Sequence, residues 1–151
     1  MSSLDDLYRR VIMDHYQKPR NRGELSGDSL TINMNNPTCG DRIQLQMVVD
    51  GEIIKDVKFV GEGCSISMSS ASMMTEAIKG KNVENALQLA DIFSKIMQGE
   101  EIDDDDLDLG DIEALQGVAK FPARIKCATL AWKAMQQGVR QAAESTNEEG
   151  K

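Results

Sequence analysis

Two patterns place this chain in the α+β class. Three consecutive segments between residues 29 and 60 alternate apolar and polar side chains with period two, whereas the segments before and after them repeat apolar residues at helical spacing. Strands that follow one another directly, with helices grouped around them instead of interleaved, define that class.

The elements follow in order. In "SLDDLYRRVIMDHYQKP" the residues Leu4, Leu7, Tyr8, Val11, Ile12 and His15 share one helical face. Ser3 is the predicted N-cap, with Asp6 at the capping-box distance, and Pro19 ends the helix. "SLTINM" alternates Leu30, Ile32 and Met34, and "RIQLQMVV" alternates Ile43, Leu45, Met47 and Val49. Asp50-Gly51 is a two-residue hairpin signal before "EIIKDVKFV", so the three strands read as an antiparallel meander. A second helix, "SISMSSASMMTEAIKG", opens after Gly63 and Cys64 and closes at Gly80. Its Met68, Met73 and Met74 read as core fillers, with an adaptable partner surface as the alternative. Asn82 caps a third helix that ends at Gly99, and Glu84 in its first turn suits the helix dipole. "DIEALQGVAK" allows a short helix, and Pro122 opens a last one in which Ile125, Thr129, Trp132 and Met135 form a stripe. Trp132 at that spacing reads as core.

A length of 151 residues suits a single domain, predicted over 1–143, with 144–151 ("ESTNEEGK") as a disordered tail. No apolar run approaches the roughly 20 residues that span a bilayer. A net charge of −8 opposes binding to phosphate backbones. Three cysteines cannot all pair in one chain, and "MSSLDDLYRR" lacks the apolar stretch of a secretory signal, so a cytoplasmic protein with reduced thiols is expected. The aspartate run at 103–106 lacks the glycine and ligand spacing of a calcium loop and reads as a solvated loop.

All three cysteines fall at element ends. Cys39 lies in the turn-rich "NNPTCGD", Cys64 at a helix start, and Cys127 early in the last helix. A helix N-terminus favours a thiolate, so Cys64 and, less strongly, Cys127 carry the signature of metal ligands or reactive thiols. Gaps of 25 and 63 positions match no paired zinc spacing, so spacing alone favours inert core thiols over a metal site. His15, the sole histidine, lies on an apolar helical face and reads as a packed or capping residue.

Four stretches, "DHYQKPRNRG", "NNPTCGD", "GEGCSISMSSASMMTE" and "RIKCATLAW", resemble, in order, motifs of the IscU/SufU family of iron-sulfur assembly proteins. The resemblance runs from about Leu4 to Met135. It implies the family's α+β fold, a three-stranded antiparallel sheet with helices packed on it. IscU-type scaffolds carry a histidine immediately before the third cysteine, where this chain has Lys126, and "GEEIDDDDLDLGDIEALQGVAK" resembles the extra segment of the SufU branch. That branch implies a zinc site of three cysteines and an aspartate, which maps onto Cys39, Asp41, Cys64 and Cys127.

The chemistry of Asp41 agrees with that mapping. Gly40 lets the loop bend between Cys39 and Asp41, and a carboxylate oxygen bonds zinc at about 2.0 to 2.2 Å. Three thiolates and one carboxylate around a dication carry a formal charge of about −2, so neighbouring cations are expected. Arg124 and Lys126 are the candidates, and Arg124 could pair with Asp41 or with a freed thiolate.

The resemblance further implies a sulfurtransferase that takes persulfide sulfur from a SufS-type, pyridoxal-phosphate cysteine desulfurase. Cys39 is the acceptor, freed from zinc when a partner histidine takes its place, and the sulfur passes to a downstream cluster-assembly scaffold. The candidate catalytic residues are Cys39 and Asp41, with Arg124 added as the cation beside an anionic site. Two alternatives stand: a scaffold that builds a [2Fe-2S] cluster on the same cysteines, and a structural zinc module without chemistry.

Overall fold

The computed structural model describes residues 3–25, 27, 29–36, 40–100 and 110–149. The elements are α1 (Ser3–Gln17), β1 (Leu30–Asn36), β2 (Asp41–Asp50), β3 (Ile53–Glu62), α2 (Ser65–Ile78), α3 (Val83–Met97), a 3-10 helix (Gly110–Lys120) and α4 (Pro122–Glu149). The strands form one antiparallel sheet in the order β1-β2-β3, as the meander pattern predicts.

The period-two residues determine which face is covered. Ile32, Ile43, Leu45, Met47, Ile54, Val57 and Phe59 are all buried, and the helices lie on that side. The β2–β3 turn falls one residue later than the Asp50-Gly51 signal suggests, since Asp50 pairs with Ile53. Gly51 then holds the first turn position at φ +63°, the left-handed region where glycine is least strained, which displaces Asp50 into the strand.

The second helix departs most from an amphipathic pattern. From Ile66 to Thr75 every residue of α2 is buried, serines included. Small side chains allow neighbouring helices to approach, and each hydroxyl finds a partner. Ser69 Oγ donates to Ile12 O on α1 at 2.6 Å, and Ser70 Oγ to Ala128 O on α4 at 2.6 Å. His15 Nδ1 lies 2.7 Å from Ser72 Oγ with the imidazole wholly buried, so the histidine is a core residue tying α1 to α2. Met68, Met73 and Met74 are buried too, which settles them as core. Trp132 stacks on Phe93 with centroids 4.8 Å apart and donates Nε1–H to Ser70 Oγ at 3.1 Å.

The predicted punctuation is found. Asn82 Oδ1 accepts from Asn85 N at 2.7 Å, Gly80 takes φ +80° after α2, and Pro122 is the first residue of α4. "DIEALQGVAK" forms a 3-10 helix because its buried residues, Ile112, Leu115 and Val118, recur every three positions, the residue count of one 3-10 turn. The aspartate run at 103–106 lies outside the described residues. α4 runs on to Glu149, into the segment from 144 expected as a tail, as an established helix gains one hydrogen bond for each residue added. No helix among the described residues is long and apolar enough to cross a membrane.

Candidate metal centre

Three elements converge at one end of the sheet. Asp41 opens β2, Cys64 is the N-cap of α2, and Cys127 lies in the second turn of α4. One oxygen of Asp41 and the sulfurs of Cys64 and Cys127 all lie within 4.8 Å of one another. Asp41 and Cys127 are fully buried and Cys64 is half-buried. Cys39, predicted with them, lies outside the described residues. His15 is not part of this group.

The carboxylate is held from one side only. Asp41 Oδ1 accepts from the Cys64 backbone N–H at 3.0 Å and from Ser67 Oγ at 3.2 Å, so the first turn of α2 orients it. Asp41 Oδ2 is buried and has no hydrogen-bond partner. A buried, unpartnered carboxylate oxygen needs a compensating charge. Two thiol sulfurs beside it make a sulfur-and-oxygen donor set that suits a cation of the zinc type. The residues present therefore fit a metal ion.

Gly63 makes this contact possible. A methyl group there would collide with Asp41 Oδ1 and lie 2.5 Å from Ser67 Oγ, the two atoms that orient the carboxylate. Gly63→Ala is expected to destabilise the protein by about 1–3 kcal/mol, the range for overpacking, and to weaken metal retention, measured by thermal unfolding and chelator competition. Unchanged values in both would show that the carboxylate is oriented by something else. The glycine in "GEGCS" was visible in the sequence, but its role depends on a partner 22 positions away, and Ser67 gave no sequence signal beyond belonging to a serine-rich helix.

Arg124, one turn before Cys127, is exposed at the outer side of the centre. The Cys64 sulfur first, then that of Cys127, hold its guanidinium protonated above its usual range, both by charge and by hydrogen bonding. The cation expected beside the thiolates is therefore present, but its partners are the two sulfurs. Among the described residues no ion pair joins Arg124 to Asp41. Lys126 is exposed and makes no ion pair among them, being rotated about 100° around the helix from Cys127. Gly40, just before Asp41, has φ +75° and donates its N–H to Asn36 O at 2.8 Å, closing the β1–β2 turn with the bend the sequence suggests.

A buried carboxylate and two thiols at helix starts, set at the end of a three-stranded sheet, define an α+β domain with a sulfur-and-oxygen donor set fit for a metal ion. The chain belongs to the NifU-like N-terminal domain family, which it matches over residues 7–128. It is 68% identical over 138 residues, 91% of this chain and 92% of the relative, to the zinc-dependent sulfurtransferase SufU of Bacillus subtilis. It is 48% identical to the iron-sulfur cluster assembly scaffold protein IscU of Streptococcus pyogenes, over 95% of this chain and 89% of that one. The crystal structure of FiSufU from Fervidobacterium islandicum AW-1 superposes with a TM-score of 0.81 at 33% identity, covering 91% of this chain and 99% of the other.

Proposed function

We propose that this chain is a zinc-dependent sulfurtransferase that accepts persulfide sulfur from a cysteine desulfurase for iron-sulfur cluster assembly. The observation that carries the reading is the unpartnered Asp41 Oδ2 beside the Cys64 and Cys127 sulfurs, in a chain 68% identical to a SufU of that activity. Cys39, Asp41, Cys64 and Cys127 would hold the ion. Zinc, when bound, keeps its thiol ligands deprotonated while restraining their nucleophilicity.

The acceptor is Cys39. Cys127 is fully buried within α4, and Cys64 caps α2 while its N–H holds Asp41, so neither can reach a partner's persulfide without breaking those contacts. The Cys39 thiolate attacks the outer sulfur of the desulfurase persulfide. An S–S bond forms to Cys39, the S–S bond to the desulfurase breaks, and that cysteine leaves as a thiolate, with no net oxidation. Arg124 stays charged throughout and offsets the negative charge of the sulfurs that remain.

The docking face is assigned to the start of α4. Phe121 is 55% exposed, and Lys120, Arg124 and Lys126 flank it with no acidic residue between them, in a chain of net charge −8. An apolar anchor within a cationic collar suits an acidic-rimmed apolar pocket on the desulfurase. Phe121→Ser is expected to raise the concentration for half-maximal stimulation about tenfold with zinc content unchanged. Unaltered half-saturation would place docking elsewhere.

Metal analysis of protein purified without oxygen, with desulfurase assays in its presence and absence, tests the whole reading. About one zinc per chain with strong stimulation supports it. Iron with labile sulfide and little stimulation would favour the cluster scaffold, the role named for the Streptococcus relative, and zinc without stimulation the structural module.

A further inference from the structure

The two oxygens of Asp41 have unlike surroundings. Oδ1 accepts from the Cys64 backbone N–H at 3.0 Å and from Ser67 Oγ at 3.2 Å, whereas Oδ2 is buried with no hydrogen-bond partner among the described residues. Ser67 Oγ also lies 3.2 Å from Cys64 O, but a charged carboxylate is the stronger acceptor for its single proton. Asp41 and Ser67 are both fully buried, so the bond between them acts in a low dielectric where it is strong.

Oδ1 is therefore not free to serve a cation. To offer both oxygens, the carboxylate would have to turn Oδ1 away from its donors and leave the Cys64 N–H and the Ser67 hydroxyl competing for what acceptors remain, at the cost of unmet buried donors. Oδ2 can bind without disturbing either. A carboxylate may ligate through one oxygen or two. One oxygen beside thiol sulfurs suits the four-coordinate, tetrahedral shell of zinc, while a second raises the ligand count toward the octahedral oxygen shell that manganese(II) prefers. We propose that Ser67, through its hydrogen bond to Oδ1, makes Asp41 a one-oxygen ligand and so biases the centre toward zinc over ions that take more ligands. This rests on the zinc reading above.

Ser67→Ala removes one oxygen, adds no bulk and favours the helix, so the variant keeps its fold. By chelator competition its zinc dissociation constant should rise about tenfold, the lower end for losing an outer partner of a metal ligand. Manganese(II) should bind no more weakly than to the wild type, so the preference for zinc falls about tenfold. Cobalt(II) gives a second readout as a coloured stand-in for zinc. The wild type should show the intense visible bands of a four-coordinate ion, and Ser67→Ala should lose that intensity as the second oxygen enters. Ser69→Ala is the control: it deletes the same atom from the same helix, but that hydroxyl donates to Ile12 O on α1. It should lower the unfolding temperature and leave the metal preference and cobalt bands as in the wild type. An unchanged preference with unchanged cobalt bands in Ser67→Ala would overturn the proposal. So would equal weakening of zinc and manganese, which would make Ser67 a purely structural support. Wild-type protein that retains no zinc would instead sink the zinc reading, and none of these measurements involves the desulfurase.

Discussion

Cys39→Ser is expected to leave the desulfurase at the rate it shows alone, with no sulfur recovered on the variant. A hydroxyl is not ionised at neutral pH and cannot open a persulfide, whereas a thiolate can. The substitution changes a single atom, sulfur for oxygen, so the unfolding temperature of the metal-free protein should hardly move. Two measurements decide the matter: desulfurase turnover with cysteine as substrate, and the mass of the variant after incubation. Full stimulation by Cys39→Ser would remove Cys39 as acceptor and leave Cys64, at a helix cap, or Cys127, inside a helix, to do the work.

Asp41→Asn separates metal binding from folding. The amide retains an oxygen that can accept from Cys64 N–H and Ser67 Oγ, but places a neutral NH2 where the unpartnered Oδ2 stood. Metal-free Asp41→Asn should be at least as stable as the metal-free parent, because a neutral amide costs less to bury unpartnered than a carboxylate oxygen does. Zinc changes the comparison. At 100 times its dissociation constant, a ligand that binds only the folded state stabilises it by about 2.7 kcal/mol. At that same zinc concentration the variant should gain almost nothing, because losing a direct ligand exceeds the 10- to 100-fold penalty typical of losing an outer partner. Thermal unfolding with and without zinc, together with chelator competition, reads both effects. An undiminished zinc shift in Asp41→Asn would exclude the carboxylate as a ligand. Because this variant retains Cys39, comparison with Cys39→Ser shows whether stimulation needs the thiol, the metal or both.

Most of the fold could be read locally. Period-two alternation in "RIQLQMVV" and "EIIKDVKFV", the glycines at 80 and 99, Asn82 and Pro122 each act on their own few neighbours, so their consequences needed no knowledge of the rest of the chain. The burial of α2 could not be read that way. Its serines are buried because Ile12, Ala128 and Arg20 supply partners from 52 to 58 residues away. The turn shift at Gly51 and the run of α4 to Glu149 arose from competition between neighbouring local preferences.

For the site, the sequence by itself determined the donor chemistry: which side chains can bind a metal, that Cys64 and Cys127 lie at helix starts, and that Lys126 stands where a histidine would mark a scaffold. Only the tertiary structure decided how that chemistry is arranged. It turned Arg124 toward two sulfurs instead of Asp41, made Gly63 and Ser67 part of the carboxylate's support, and left Asp41 Oδ2 buried without a hydrogen-bond partner. The physical reason is range. A residue's donor capacity and helix-end propensity belong to the residue and its immediate neighbours, while burial, charge pairing and an unmet hydrogen bond are properties of what the folded chain brings within a few ångströms.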